Sequence, residues 1–456
     1  MKNVYLLNYS VKGIKSLDKL IQLSFYKQNI TRNIDTQMYN VKGIYGMNGS
    51  GKSAIINSID ILKNLILNPD YLNDPIIQKY LNSIINKKEK SLFIEMNYLI
   101  KNKEKYFLLG YNIRLKKNQF QKYIISEESL YTKKLYSRSD NKKDIYVVKQ
   151  GMIEYINKSI IEDKERLEIQ SRTMNLLETA TLSALVNERI LVYFENNIVD
   201  HTFYDYLNMH IEFGSKLFAY LDNSDDHRGY ISNRYLKNYD NDGVDEHTVY
   251  SALSNMLNVY QNDLCNLSTS RYIVPKEFFS NFELEVKQLY NFIHLFKMDL
   301  KSIEIEKKEN QDVWICDLIM DYDLYKIHVE YESTGIKKLI RLFAYLKKMV
   351  DGNIVFIDEL DSNLHDVYLC SLLEYLMDYG QGQLCFTTHN VGPMEILRHR
   401  KNSLDFISEN HEVVSWVKNG NYSPINLYRN GMISGCPFNV DSIDFIRVFG
   451  SGRESE

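Results

Sequence analysis

The spacing of apolar residues predicts strands and one helix in the first part of this 456-residue chain. Short apolar runs at 4–7, 23–26 and 41–45 predict three strands. Residues 53–67 then carry apolar side chains at helical spacing, directly after a glycine-rich loop. Between 92 and 131, runs at 92–96, 106–109 and 111–115 are typical of β-hairpins.

The pattern changes twice in the remainder of the chain. Residues 136–299 are predicted to be mainly helical, with amphipathic stretches at 176–192 and 249–267 and an exposed loop at 222–245. Strands are predicted at 300–306, 313–320 and 325–330, a helix at 336–350, and apolar strands at 354–357 and 384–387. We therefore expect an α/β protein with a mixed sheet, in which an N-terminal lobe (1–135) and a C-terminal lobe (300–456) flank a mainly helical insertion (136–299).

Composition and cysteine usage favour a globular cytoplasmic protein. Hydrophobic residues make up 44% of the chain and charged residues 25%, and the net charge of -4 excludes an overall basic footprint for nucleic acid. No apolar run approaches the roughly 20 residues that cross a bilayer, and polar residues interrupt any signal-peptide pattern near the start. Five scattered cysteines predict neither disulfides nor a zinc site; they are Cys265, Cys316, Cys370, Cys385 and Cys436.

Residues 46–53 match the phosphate-binding pattern G-x-x-x-x-G-K-[ST]. The eight residues are Gly46, Met47, Asn48, Gly49, Ser50, Gly51, Lys52 and Ser53. Glycines let successive backbone N–H groups point at phosphate oxygens, and the following helix adds its positive dipole end. Lys52 is predicted to contact the β- and γ-phosphates of ATP, and the Ser53 hydroxyl to bind Mg²⁺. The alternative is a glycine-rich loop that merely turns the chain.

A second candidate site follows the apolar strand at 354–357, where Asp358 and Glu359 stand side by side. A buried strand has no structural need for two acids at its end, whereas a magnesium site does. Asp358 is predicted to bind Mg²⁺ directly or through water, and Glu359 to take a proton from the attacking water. The alternative is a pair of solvated acids. Together with the phosphate loop, this pair predicts ATP hydrolysis.

Two later segments complete an order of motifs that resembles ABC-type and SMC-like ATPases. Residues 332–339 resemble a degenerate signature motif with Ser333 and Gly335 at its key positions, and His389 resembles the switch histidine. The resemblance implies an ABC-type P-loop head and a homodimer with ATP at its interface, in which Ser333 and Gly335 contact the γ-phosphate held by the opposite protomer. The loop 361–365 resembles the one that crosses this interface. A helix cap at Ser333 and a structural role for His389 are the alternatives.

Within this group, the two segments 332–335 and 358–365 resemble bacterial antiphage-defence ATPases, including abortive-infection proteins and Septu-, PARIS- and retron-associated subunits. This implies a sensor or regulator that acts with a separate effector, a nuclease or toxin, in a dimer or a higher assembly. The stretch after His389 reads as a small strand-rich cap with few acids, so we expect any nuclease to act in trans. An SMC-like DNA-repair or genome-maintenance ATPase is the alternative, and a transporter motor fits the long insertion poorly. Gln119 and Gln121 are weak candidates for a glutamine loop.

Basic residues near the hairpins leave nucleic-acid binding open. The basic residues are Lys101, Lys103, Lys105, Arg114, Lys116, Lys117 and Lys122, interleaved with Tyr106, Tyr111, Phe120 and Tyr123. Such a mixture could follow a phosphate backbone and stack on bases. A solvated hairpin face is the alternative.

Overall fold

The computed structural model describes residues 4–27, 30, 34–102, 105–135, 141–186, 202–221, 272–310, 312–362, 364–416 and 423–433. Their strands are β1 (Val4–Lys12), β2 (Ile21–Ser24), β3 (Val41–Gly46), β4 (Ser91–Asn102), β5 (Lys105–Lys117), β6 (Tyr123–Lys133), β7 (Lys142–Lys149), β8 (Met152–Ile156), β9 (Leu217–Tyr220), β10 (Tyr272–Pro275), β11 (Leu300–Asn310), β12 (Val313–Tyr322), β13 (Lys326–His328), β14 (Ile354–Ile357), β15 (Gln383–Thr387), β16 (Leu404–Ile407) and β17 (Val413–Ser415).

Ten α-helices accompany these strands in the described part of the chain. They are α1 (Lys52–Leu67), α2 (Pro75–Ile84), α3 (Asp163–Thr173), α4 (Leu182–Leu185), α5 (Thr202–Ser215), α6 (Phe279–His294), α7 (Thr334–Val350), α8 (Asp366–Tyr379), α9 (Gly392–Leu397) and α10 (Pro424–Arg429). The protein is therefore a mixed α/β structure, as the sequence predicts. None of the described helices combines the length and apolar character needed to cross a membrane.

The first sheet, called the hairpin sheet below, is antiparallel and has the order β2-β1-β4-β5-β6-β7-β8. It confirms the predicted hairpins, but the runs at 106–109 and 111–115 form one strand, β5. Gly110 lies between them, and a Cβ there would sit 2.1 Å from the Tyr131 ring of the neighbouring strand. The glycine is thus needed for a close cross-strand contact and does not break the strand.

The second sheet, called the parallel sheet, has the order β17-β16-β3-β15-β14-β9, and only the β16–β17 pair is antiparallel. Its strands β14 and β15 are buried along their whole length, which explains their continuous apolar runs. Helix α1 packs between this sheet and the hairpin sheet, in a core that includes Ile55, Met96 and Phe356. The carboxyl ends of β3, β15 and β14 are therefore adjacent at one edge.

The opposite face of the parallel sheet is covered by a second core. Helices α6 to α9 contribute to it, together with a third sheet in which β12 pairs with β10, β11 and β13. Helix α7 starts near the end of β13 and buries Leu339 and Leu342 against this core. The predicted helix at 336–350 and the predicted strands on either side of it are confirmed.

The described parts of 136–299 contain the expected helices, α3, α4, α5 and α6, but they contain strands as well. Strands β7 and β8 extend the hairpin sheet, β9 forms an edge of the parallel sheet, and β10 joins the third sheet. In β7 the apolar residues Ile145, Tyr146 and Val148 are buried, but the lysines around them mask the strand pattern. The predicted helix at 176–192 is limited to α4 within the described residues. The stretch 249–267 and the loop 222–245 lie outside them.

Candidate nucleotide-binding site

The phosphate loop joins β3 to α1 in the order that the motif predicts. Strand β3 ends at Gly46 and α1 begins at Lys52. Gly49 and Gly51 have φ angles of 80° and 100°, in the left-handed region that favours glycine. At Gly51 a Cβ would also lie 2.1 Å from Leu17 Cδ2, so a larger residue there would collide with the segment after β1. The loop can thus curl tightly.

Lys52 folds back over the loop. Its side chain is 7% exposed, and its Nζ donates to the carbonyl oxygens of Gly46 at 2.8 Å and Met47 at 2.9 Å. Burial lowers the pKa of Lys52, and three neighbouring carboxylates oppose that shift. The ammonium is held where an incoming anion could replace the two carbonyls as its partner.

The three carboxylates are those of Asp358, Glu359 and Asp361, which follow β14. Asp358 is 3% exposed, and its Oδ1 accepts a hydrogen bond of 2.5 Å from the Thr387 hydroxyl. The same hydroxyl accepts from the Glu359 amide at 2.8 Å. Sequence reasoning missed Thr387. Its only signal is that it ends the strand before His389, and no pattern shows that β15 lies beside β14.

Glu359 has a φ of 48°, in the left-handed region. For a residue with a Cβ, such a conformation costs on the order of 1–3 kcal/mol and persists only where surrounding contacts hold it. The Leu360 amide donates to the Thr387 carbonyl at 3.1 Å, and the Ser362 amide donates to the Glu359 carbonyl at 3.1 Å. The chain thus turns sharply after β14, and Glu359 is half-buried at that turn.

His389 lies in the same charged environment. It follows β15 and is exposed at the mouth of the site. Desolvation and the charge of Lys52 lower the pKa of His389, while Asp361 and Asp358 oppose the shift. The ring is therefore neutral at physiological pH and can accept a hydrogen bond. The structure brings Lys52, Asp358, Glu359 and His389 together.

Ser333 and Gly335 lie at the start of α7. Ser333 caps α7: its hydroxyl accepts from the Ile336 amide at 3.3 Å, and its own amide donates to Glu332 at 3.0 Å. In the single chain Ser333 is therefore a helix cap, which is the alternative given above. Ser333 and Thr334 are nevertheless exposed, so the start of α7 is accessible from outside.

Two buried atoms near the loop suit a ligand rich in donors and acceptors. Ser50 Oγ and Asp361 Oδ1 are buried and have no hydrogen-bond partner among the described residues. Ser53 is half-buried in the first turn of α1. The described residues contain no group of three or more His, Cys, Asp or Glu suited to a metal. Ser53 and Asp358 supply the oxygen ligands that suit Mg²⁺, which takes few protein ligands and completes its shell with phosphate oxygens and water. These residues fit Mg-ATP.

The segment after β1 also touches the loop, which sequence reasoning missed. The Ser16 hydroxyl donates to the Gly49 carbonyl at 3.0 Å, next to the Leu17 contact with Gly51. Gln119 and Gln121, in contrast, are exposed at the turn between β5 and β6, where Gln121 is left-handed with a φ of 62°.

The basic residues of the hairpins do not form one surface. Lys101 and Lys105 lie at one end of the β4–β5 ladder, and Lys116 and Lys117 lie at the other, about 40 Å away along β5 at roughly 3.4 Å per residue. Two of the aromatic residues, Tyr111 and Tyr123, are buried at 0% and 3% exposure and cannot stack on bases. Lys103 lies outside the described residues. The geometry favours the solvated hairpin face.

Comparison with known proteins does not place the chain in a family. No protein-family model matches it, and no curated protein matches it. Among solved structures it is similar to the crystal structure of the Smc head domain with a coiled coil and joint derived from Pyrococcus yayanosii. That match covers 91% of this chain and 97% of the other, at 13% identity and a TM-score of 0.40. A TM-score this low supports no conclusion about this chain, so the proposal below rests only on the geometry described above.

Proposed function

We propose that this chain is an ATPase of the ABC/SMC-like kind that binds Mg-ATP at the phosphate loop and hydrolyses it. One observation carries the proposal: a lysine, two adjacent acids and a histidine from three neighbouring strand ends converge beside a glycine-rich loop and a helix N-terminus. Metabolic anions bind at such an edge because the strand ends and the helix dipole meet there.

In the proposed complex, the loop amides between Gly46 and Ser53 cradle the phosphates, with Asn48, Gly49, Ser50 and Gly51 forming the curve. Lys52 exchanges the carbonyls of Gly46 and Met47 for phosphate oxygens, which are better partners for an ammonium. Ser53 and Asp358 would hold the ion. When bound, Mg²⁺ neutralises charge on the β- and γ-phosphates.

Hydrolysis is assigned to Glu359 and His389. Glu359 lies at the turn after β14, close enough for its charge to act on Lys52, and its carboxylate would accept a proton from the attacking water. His389, whose pKa is lowered by desolvation and by Lys52, would donate a ring N–H to a γ-phosphate oxygen. Asp358 stays with the ion, since the Thr387 hydroxyl holds it in place.

We also propose a homodimer in which Ser333 and Gly335 of one chain complete the ATP site of the other. The exposed start of α7, a helix of 17 residues, supports this because its N-terminus is suited to an anion. The order of motifs adds a finer proposal: a regulator of antiphage defence that acts with a separate nuclease or toxin. The SMC-like genome-maintenance ATPase stays the alternative.

The test combines nucleotide binding, turnover and mass. Lys52→Ala should weaken ATP binding at least about tenfold, whereas Lys63→Ala, on the same helix away from the loop, should not. Glu359→Gln should bind ATP but turn over about 10²–10⁴-fold more slowly, the usual contribution of a general base. It should then accumulate as a dimer in light scattering, and Ser333→Arg should bind ATP but stay monomeric. Equal ATP affinity in Lys52→Ala and the wild type would contradict the nucleotide site.

A further inference from the structure

Lys338 connects the start of α7 to the turn that carries Glu359. It lies about one and a half helical turns after Ser333 and is 5% exposed, although its neighbour Lys337 is half-buried. Its Nζ donates to the Glu359 carbonyl oxygen at 2.8 Å and to the Ser362 hydroxyl at 2.5 Å. The ring of Tyr220 lies 5.9 Å from the same nitrogen. A side chain from α7 thus contacts both ends of the turn.

Two side chains hold the backbone of Glu359, the residue in the left-handed conformation. The Glu359 amide is held by the Thr387 hydroxyl at 2.8 Å, and the Glu359 carbonyl is held by Lys338. Both peptide groups of a left-handed residue are therefore fixed by side chains from other elements. Burial of an ammonium is costly unless it makes strong hydrogen bonds, so Lys338 is placed to make them rather than to fill space.

We propose that Lys338 is a positioning residue that locks the backbone of Glu359 and transmits the position of α7 to it. The inference rests on the proposed ATPase function. Because Lys338 and Ser333 belong to one helix, a partner molecule that engages the start of α7 would move the donor that holds Glu359. The rate of turnover then depends on the position of α7, whereas ATP binding at Lys52 does not.

The test compares two buried lysines of the same helix. Lys338→Met keeps the length and the apolar stem but removes the donors, and turnover should fall about tenfold or more while the Kd for Mg-ATP changes less than about twofold. Lys348→Met is the matched control: Lys348 is 7% exposed and lies 5.3 Å from the Phe218 ring, away from the site. It should keep wild-type turnover. Lys338→Arg, which can still donate to both oxygens, should recover part of the rate.

Hydrogen exchange supplies a second measurement that needs no nucleotide. In Lys338→Met the amides of 358–364 should exchange about tenfold faster than in the wild type, and in Lys348→Met they should not. Wild-type turnover in Lys338→Met, or unchanged exchange in this turn, would overturn the role of Lys338 alone. Failure of the wild-type chain to bind Mg-ATP would overturn the proposed function and the catalytic consequence with it, whatever the exchange rates.

Discussion

Replacing Thr387 with valine would remove one hydroxyl that organises both candidate acids. Thr387 is fully buried at the end of β15, and valine has nearly the same shape. The change deletes the 2.5 Å bond to Asp358 Oδ1 and leaves the Glu359 amide without its 2.8 Å acceptor. The loop and Lys52 are not touched, so the perturbation is confined to the carboxylate side of the site.

The magnitude follows from the two bonds. A hydrogen bond to a charged group contributes about 1.5–3 kcal/mol and a neutral one about 0.5–1.5 kcal/mol. We therefore expect the turn after β14 to lose on the order of 2–4 kcal/mol of stabilisation. If about half of that loss appears in the barrier, turnover falls about 5–30-fold, because 1.4 kcal/mol corresponds to a factor of ten. ATP affinity should change much less, since it depends chiefly on the loop and Lys52.

Steady-state phosphate release and ATP titration of the folded variant measure the two effects separately. Thr387→Ser keeps the hydroxyl and should retain most of the turnover. Thr173→Val is the matched control, because Thr173 is 1% exposed and its hydroxyl donates only within α3, to the Ile169 carbonyl. Wild-type turnover in a folded Thr387→Val protein would refute the view that this hydroxyl orients Asp358 and Glu359.

Two further predictions concern stability and biological role. Glu128 is buried beside Tyr111 and Tyr146, and burial raises its pKa from 4.5 to about 7, so the folded state binds its proton more tightly than the unfolded state. The contribution of Glu128 to the free energy of unfolding should fall by about 3 kcal/mol as pH rises from about 4.5 to about 7. Glu128→Gln should remove that pH dependence. Urea midpoints that vary with pH equally in the wild type and in Glu128→Gln would contradict this prediction. For the proposed defence role, phage plaque counts should fall only when this gene is expressed with the gene of a separate effector; full protection by this gene alone would exclude the need for a partner.

The parts of the site that the sequence predicts are those whose chemistry lies in consecutive residues. The loop 46–53 and the pair after 354–357 each combine an element boundary with the reactive groups, and β14 has the bounds expected from its apolar run. Full burial of a central parallel strand produces such a run, so the pattern and the structure have one cause. The assigned roles of these residues stay predictions.

The supporting residues could not be predicted, because their function depends on the order of strands in space. Thr387 contacts Asp358 because β15 pairs with β14. On its other side β15 pairs with β3, which lies far away in sequence. Lys338 stands in a Lys-Lys pair, which is typical of a solvated helix face. One residue rotates a helix by about 100°, which is enough to bury Lys338 while leaving Lys337 half-buried.

The hairpin region shows the opposite limit, in which residues close in sequence are separated in space. An extended strand moves about 3.4 Å per residue and alternates its faces, so basic and aromatic residues spread over β5 and its turns reach different ends and sides of the sheet. A helix would have gathered the same residues within a short distance. A cluster in sequence therefore indicates a surface only after its secondary structure is known.

The proposed site also separates nucleotide binding from positioning of the base. In the proposed site, nucleotide binding depends on Lys52 and on the loop backbone between β3 and α1, with Leu17 packed against Gly51. Positioning of the proposed base would depend on Thr387 at the end of β15 and on Lys338 of α7, a helix that packs in the second core. Nucleotide could therefore bind while the base stays unaligned, and alignment would require α7 to be seated. The proposed ATPase would therefore respond to whatever contacts the exposed start of α7, which is the property a regulated enzyme needs.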